Sequence, residues 1–295
     1  MIECIPNFST SDPAILTALV RVIDQVAGVQ VLDTHVDSDH NRSVITFVGD
    51  TTSIGEAAFC VVAEAAKQID MQAHCGQHPR IGATDVLPFV PFGAATMEQC
   101  VTLARAVGQR IGEELAIPVF LYGAAATTPE RYELPNVRQG EYEGLRDTIA
   151  HDPARSPDYG PAQLGSAGAT AVGARMPLIA YNIYLTTSDV RIARRIAKAV
   201  RGSSGGLRGV RALGLLVDGR AQVSMNLTDY KTTPLHRVVD MVVREAAAYG
   251  VMISESELVG LIPEDALIDA ACFYLHLHTM DTQQILERRI STQGP

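Results

Sequence analysis

Long hydrophobic runs, regularly spaced cysteines and a basic excess of charge are all missing from this chain of 295 residues. The apolar runs are interrupted well before the roughly 20 residues that a membrane-spanning helix needs. The N-terminus, MIECIPNFS, has no basic stretch followed by an apolar core, so no signal peptide is predicted. The five cysteines include no CxxC pair, which favours reduced thiols and a cytoplasmic protein. The net charge of −9 argues against nucleic-acid binding.

The hydrophobic content of 47% is typical of a globular protein, and the length suffices for two domains or for one duplicated architecture. At a net charge of −9, the background charge would oppose an anionic ligand. A site for such a ligand therefore requires a local concentration of arginines.

The first half predicts the element order β-α-β-β-α-β. The strand MIECIPNF precedes a helix that Asp12 caps, with Pro13 in its first turn. The strands VQVLDTH and RSVITFVG follow, and a capping box of Ser53 and Glu56 opens a second helix that ends near Ile69. The strand TDVLPFVPF closes the pattern, and its prolines predict an edge position or an early end. The apolar stripe of the first helix is predicted at Ile15, Leu19, Val22 and Val26.

Two further elements extend the first half. A capping box at Thr96 and Gln99 opens a helix that reaches Leu115, and the strand PVFLYG follows it. The stretch 124–175 is rich in proline, glycine and charge. It is predicted to be a long loop region that links the two halves.

The second half predicts the same order again. The strand PLIAYNIYLTT is followed by a helix capped by Ser188. VRALGLLV and AQVSMNLTDY form a hairpin around the turn sequence DGR. Thr233 and Pro234 start the next helix, and ELVGLIP is the last strand. We therefore predict an α/β (α+β) fold of two ferredoxin-like β-α-β-β-α-β subdomains, residues 1–176 and 177–295.

The segment HCGQHPRIGATD, which runs from His74 to Asp85, concentrates polar chemistry in one turn. Pro79 fixes its own φ and biases His78 towards an extended backbone. Gly76 and Gly82 allow sharp turns on both sides. The pattern predicts an imidazole held in a fixed position just before a strand.

A metal site is an alternative interpretation of the same histidines. The HxGxH spacing would need a third ligand such as Asp37, Asp39 or Asp85, and His35 and His40 would add further nitrogens. The turn contains glycine and proline, which disfavour the helix that would align histidines four residues apart. The ligand spacing is therefore a weak signal, and we predict no metal.

Eight segments, in chain order from about residue 3 to about residue 275, resemble the formiminotransferase domain of glutamate formiminotransferases. In animals that domain is fused to a cyclodeaminase. HCGQHPRIGATDVLPFVP is the most specific of these segments. The others are CIPNFS, HNRSVITFVG, LYG, PDYGP, GATAVGAR, LIAYNIYL and QVSMNLTDY.

The resemblance implies a stand-alone enzyme that moves a formimino group from N-formimino-L-glutamate to tetrahydrofolate, its co-substrate. It also implies two α/β subdomains whose sheets pack around a ligand tunnel, a homodimer and no metal. A separate cyclodeaminase as partner stays open. So do a formyl-group variant, acting on N-formylglutamate or cyclising 5-formyltetrahydrofolate, and a non-catalytic folate-binding protein.

By the same resemblance, His78 is the catalytic histidine. The tetrahedral intermediate of the transfer must lose a proton at one nitrogen and gain one at the other, and histidine can do both near neutral pH. The role of His74 is open: it would orient His78, contact the substrate or bond the backbone. The predicted substrate-binding residues are His35, His40, Asn41, Arg42, His74 and Arg80.

The resemblance places the folate contacts on two glycine-rich stretches and an arginine. Glycines permit close backbone approach to a flat heteroaromatic ring and to a glutamyl tail. From composition alone, a linker and an ordinary loop are the alternative. The predicted folate-binding residues are Gly160, Pro161, Ala162, Gln163, Leu164, Gly165, Ser166, Ala167, Gly168, Arg175, Gly205, Gly206, Leu207, Arg208, Gly209, Val210, Arg211, Ala212, Leu213 and Gly214.

Overall fold

The computed structural model of the protein describes residues 1–38, 41–74 and 79–291. The chain divides into two compact units, Met1–Met176 and Pro177–Pro295. The predicted site residues His40 and His78 lie outside the described residues. Within the described ranges, no helix is both long and apolar enough to cross a membrane.

The regular elements of the first unit follow the predicted order and add to it. In chain order they are β1 (Ile2–Cys4), β2 (Asn7–Phe8), α1 (Pro13–Asp24), β3 (Val29–Asp37), β4 (Arg42–Gly49), α2 (Thr51–Gln68), β5 (Thr84–Pro91), α3 (Met97–Glu114), β6 (Val119–Gly123), α4 (Leu134–Val137), α5 (Glu141–Thr148) and β7 (Thr170–Ala174).

These strands form one mixed sheet. β3 pairs with β4, and β1 and β2 lie between β4 and β5 as two pieces of one strand, all antiparallel to their neighbours. This is the ferredoxin-like arrangement, so the predicted β-α-β-β-α-β order is confirmed for the first half. β7 and then β6 extend the sheet in parallel beyond β5.

The predicted edge position of β5 is wrong, because the strand has partners on both sides. Pro88 is nevertheless tolerated there. Ile5 N–H donates to the carbonyl of Pro88 at 3.3 Å, at the interruption between β1 and β2. The missing N–H of Pro88 lies on the same side as its carbonyl and therefore faces this break, so no ladder bond is lost.

Helix α1 begins as predicted, since the Asp12 side chain accepts the N–H of Ala14 at 2.8 Å. Its predicted apolar stripe is confirmed in part. The stripe's Leu19 is buried, whereas Ile15, Val22 and Val26 are half-buried and pack at the margin of the core. The side chains that α1 buries are Leu16, Leu19 and Ile23.

The capping box predicted for the second helix is wrong, and the one predicted for the third is confirmed. α2 starts three residues earlier than predicted, because Asp50 accepts from Thr52 N–H at 2.8 Å and from Ser53 N–H at 2.9 Å. At α3, Thr96 and Gln99 cap each other reciprocally. A carboxylate that accepts two backbone donors outcompetes the serine three residues later.

The stretch 124–175 is not the loop region predicted. It contains a 3₁₀ turn (Pro129–Tyr132), the helices α4 and α5, and the strand β7. β7 pairs with β5 on one side and with β6 on the other. Leu145 of α5 is fully buried in a small core with Ile81 and Phe120.

The second unit repeats the ferredoxin-like order, so that prediction is also confirmed. Its sheet has the order β11-β8-β10-β9 and is antiparallel throughout. The elements are β8 (Ile179–Leu185), α6 (Val190–Val200), β9 (Val210–Val217), β10 (Arg220–Leu227), α7 (Leu235–Ala248), β11 (Ile253–Val259), α8 (Glu264–Tyr274) and α9 (Leu286–Ser291).

Most elements of the second unit were predicted correctly from local sequence signals. The hairpin turn is confirmed, with Asp218 at φ 49° and Gly219 at φ 74°, as a tight turn between twisted strands requires. The cap of α6 is Asp189 and not Ser188, because the Asp189 side chain accepts the N–H of Arg191 at 2.9 Å. Helix α8 was not predicted.

Candidate functional site

One small pocket of the first unit gathers most of the predicted substrate-binding residues. The pocket lies at a single edge of the sheet, where β2 ends and where β4 and β5 begin. Antiparallel neighbours place these termini side by side. The lining residues are Phe8, Ser9, Asn41, Arg42, His74, Arg80 and Asp85.

Arg80 is held entirely by protein groups. Its side chain is 8% exposed, and its guanidinium donates to Glu141 Oε2 at 2.8 Å and to Glu143 Oε1 at 2.7 Å. Its Nε–H donates to Nδ1 of His74 at 3.2 Å. Burial alone would lower the pKa of Arg80, but the carboxylates of Glu143 and Glu141 outweigh it and raise the pKa. These contacts favour a structural task for a residue predicted to bind substrate.

His74 is half-buried between Arg80 and the backbone of Asn41. Its Nε2 lies 3.5 Å from the carbonyl oxygen of Asn41. Burial lowers the pKa of the imidazole, and the positive charge of Arg80 acts in the same direction. The carbonyl of Asn41 and the carboxylate of Glu143 oppose this shift without reversing it. The neutral ring is therefore favoured at neutral pH.

Asn41 and Arg42 enter the pocket from the start of β4. Asn41 adopts φ 48°, a left-handed conformation that asparagine tolerates, and its side-chain oxygen accepts from Ser11 N–H at 2.9 Å. Burial lowers the pKa of Arg42, while the carboxylate of Asp37 acts in the opposite direction. An arginine stays protonated under both influences, so Arg42 supplies a positive charge to the pocket.

Asp85, considered above as a metal ligand, is instead part of an ion pair. It accepts the N–H of Ile81 at 2.9 Å, and Arg138, which directly follows α4, pairs with its carboxylate. Over residues 1–38, 41–74 and 79–291, no group of three or more His, Cys, Asp or Glu side chains is arranged to hold a metal ion. His40, Cys75 and His78 lie outside those ranges.

His35 is not among the residues that line the pocket. It lies in β3, half-buried, and is paired with Val44 of β4. Conversely, sequence reasoning missed Glu141, Glu143 and Arg138, which complete the site from α5 and from the end of α4. The charged run RQGEYEGLRD was the available signal, but it lies in the stretch interpreted as a loop.

The first glycine-rich stretch packs one end against the segment that follows Arg80. Ala83 N–H donates to the carbonyl of Ala167 at 2.8 Å, and Gly168 forms a bridge with Gly82. A Cβ on Gly82 would lie 2.0 Å from the carbonyl oxygen of Ala169, so this crossing requires glycine. Residues 161–163 and 165–166 are exposed.

The remaining predicted folate residues lie at the end of the first unit and in the second. Arg175 donates to the carbonyl of Met176 at 3.1 Å. Residues 205–209 form the turn that leads into β9, where Leu213 is 60% exposed. The side chains of Arg208 and Arg211 are exposed. The folate-binding role of all these residues stays a prediction.

Family comparisons cover nearly the whole chain. Residues 1–175 match the model of the formiminotransferase domain, N-terminal subdomain, and residues 180–292 match the model of the formiminotransferase domain. The boundary between the two matches falls within a few residues of the boundary between the two compact units.

Individual relatives agree with this match. A protein of Thermoplasma acidophilum named glutamate formimidoyltransferase is 48% identical over 98% of this chain and 97% of its own length. One of the same name from Streptococcus pyogenes serotype M1 is 46% identical over 98% of both chains. The formimidoyltransferase-cyclodeaminase of Mus musculus is 43% identical over 93% of this chain and 52% of its own length.

Proposed function

The chain belongs to the formiminotransferase family, and on this premise we propose that it is a glutamate formimidoyltransferase. It transfers the formimino group of N-formimino-L-glutamate to tetrahydrofolate, giving 5-formiminotetrahydrofolate and glutamate. The observation that carries this proposal is the identity of 48% and 46%, over nearly the full length of both chains, to two proteins of that name.

The chemistry of the transfer sets what the site must supply. The folate amine attacks the formimino carbon, a tetrahedral intermediate forms, and the bond to the glutamate nitrogen breaks. A proton leaves the attacking nitrogen and another reaches the departing one. One positioned acid–base group with a pKa near neutral pH can serve both steps.

We assign the acid–base task to His78. The residue lies outside the described part of the chain, so the assignment rests on the family motif and on the requirement for a proton carrier. Arg42 is assigned to a carboxylate of the donor, because it brings a positive charge to the pocket that Asn41 and His74 also line. Substrate contacts by Asn41, His35 and His40 stay predictions.

The partners are small molecules: formiminoglutamate and tetrahydrofolate, the latter bound by the two glycine-rich stretches and Arg175. A homodimer, a separate cyclodeaminase that receives the product, and the ligand tunnel remain predictions from the family resemblance. A cytoplasmic location remains a prediction from the cysteine pattern. The overall charge of −9 would oppose both anionic substrates, so the arginines are assigned to their binding.

The decisive experiment is an assay of the purified protein with tetrahydrofolate and either N-formimino-L-glutamate or N-formyl-L-glutamate. Turnover with the formimino donor, read from the absorbance of the folate product, is expected to exceed that with the formyl donor. Preference for the formyl donor would replace the proposal by the formyl-group variant. Folate binding without turnover of either donor would leave a folate-binding protein.

A further inference from the structure

We infer that Arg80 is a positioning residue that fixes His74 as the tautomer with its proton on Nε2. In this state His74 acts as a hydrogen-bond donor to an anionic oxygen of the bound donor substrate and not as a base. The link to that substrate rests on the proposed formimino transfer; the state of the ring does not.

The first step is the direction of the bond between the two side chains. A guanidinium has only donors, so the Nε–H of Arg80, 3.2 Å from Nδ1 of His74, requires a lone pair on that nitrogen. A neutral imidazole with Nδ1 unprotonated carries its proton on Nε2. The geometry therefore selects one tautomer.

The second step is the rigidity of Arg80. Its NH1 and NH2 groups are fixed by Glu141 and Glu143 at 2.8 and 2.7 Å, which leaves Nε–H directed at His74. The backbone is tied at the same place, since Tyr142 N–H donates to the carbonyl of Arg80 at 2.8 Å. The start of α5 therefore holds both the main chain and the side chain of Arg80.

The third step is the other side of the ring. Among the described residues, the groups that face His74 are Arg80, the carboxylate of Glu143 and the carbonyl of Asn41. The Nε2 to carbonyl distance of 3.5 Å is long for a hydrogen bond, so this N–H is only weakly engaged. It borders the pocket that contains Arg42, where a second donor to an anionic group is useful.

The test reads the tautomer directly. Long-range ¹H–¹⁵N correlation spectra of the ¹⁵N-labelled protein distinguish the two tautomers and the imidazolium, and His74→Gln identifies the signals of this ring. In the unsubstituted protein at about pH 7 we expect the neutral Nε2–H form. An imidazolium or an Nδ1–H tautomer in that protein would overturn the inference, whatever the activity assay gives.

Variants of Arg80 separate positioning from general damage. In Arg80→Gln the lone pair of Nδ1 is no longer fixed, so the Nδ1–H form should appear and the imidazolium should persist to higher pH. Arg80→Lys keeps the charge that neutralises Glu141 and Glu143 but lacks the Nε–H group, so it should also release the tautomer. An unchanged spectrum of the His74 ring in folded Arg80→Lys would contradict the inference.

The pH dependence of activity provides a second readout, because the defect of the variant should become smaller as the pH falls. At about pH 8 the loss of one charge-assisted bond should lower kcat/KM of Arg80→Gln about ten-fold. The imidazolium donates from both nitrogens, so the ratio of variant to unsubstituted kcat/KM should rise as the pH falls. A ratio independent of pH would refute the donor role.

Arg110→Gln is the matched control. Arg110 also contacts two carboxylates, Glu56 at 2.5 Å and Glu114 at 2.8 Å, but it lies on α3 and does not line the pocket. Its loss should change neither the spectrum of His74 nor the pH dependence. If the protein shows the expected tautomer but no formimino transfer, the proposed function fails and the positioning of His74 stands.

Discussion

The sequence predicts several residues of the site, but it does not predict the ion-pair partners of those residues. The family resemblance predicts Asn41, Arg42 and Arg80 as substrate-binding residues, and all three line one small pocket. The ion-pair partners of Arg80 and Asp85 come from 53 to 63 residues further along the chain. No local periodicity encodes such pairs, so they emerge only from the packed structure.

The first residue-level prediction concerns the proton carrier. His78→Ala should fold normally and lower kcat by on the order of 10²–10⁴, as the loss of a positioned acid–base group does. His74→Ala should lower it less, because a hydrogen-bond donor contributes less than the proton carrier. Steady-state kinetics with circular dichroism as folding control checks both. Unchanged kcat in the His78 variant would remove that residue from its role.

Among the helices and strands, a predicted helix start was correct where no second capping residue lay nearby. The caps at Asp12 and Thr96 were predicted, whereas α2 was misplaced because Asp50, a stronger cap, precedes Ser53. β7, with the sequence TAVGA, was missed entirely. It is buried on both faces between parallel neighbours, and such a strand shows no polar alternation.

The link between α4 and β5 yields a stability prediction. Arg138 pairs with Asp85, whose side chain is 3% exposed, so Arg138→Ala leaves a buried carboxylate without its ion-pair partner. The expected loss is about 3–5 kcal/mol in the free energy of unfolding, measured by urea denaturation. Arg146→Ala, which breaks an ion pair with Asp147 in which both side chains are more than half exposed, should stay within about 0.5 kcal/mol. Similar losses in the two variants would contradict this.

The glycine crossing beside the site yields a second stability prediction. A Cβ at Gly82 would lie 2.0 Å from Ala169 O and 2.8 Å from Ala167 O, both backbone atoms. Gly82→Ala should therefore destabilise the protein by about 1–3 kcal/mol or more, seen as a lower thermal midpoint. Gly165→Ala is the comparison, since its Cβ would meet nothing within 4 Å. If Gly82→Ala were as stable as Gly165→Ala, the backbone at this crossing would have to move apart at little cost.

For the molecule as a whole, the negative net charge opposes the binding of anionic substrates. A chain of charge −9 is proposed to bind folate with its glutamyl tail and a dicarboxylate donor. Long-range repulsion slows such encounters, so cations placed locally must compensate. The sequence shows which arginines are available but not their arrangement around the ligands.

Two arginines of the second unit test this idea. Arg208→Glu or Arg211→Glu should raise the KM for tetrahydrofolate more than the KM for formiminoglutamate, and added salt should raise both KM values. Arg191→Glu, with the same change of charge at a side chain 81% exposed on α6, is the matched control. Equal effects at all three positions would mean that only net charge matters.

The insertion of β7 between β5 and β6 has a consequence for protein synthesis. Within the described residues, β6 finds its ladder partner only in β7, whose residues 170–174 follow β6 at 119–123 after a long interval. At the usual rate of translation that interval lasts roughly 2 to 10 s. During this time the nascent chain carries unpaired edges on β5 and β6, where chaperones or other nascent chains can compete with folding.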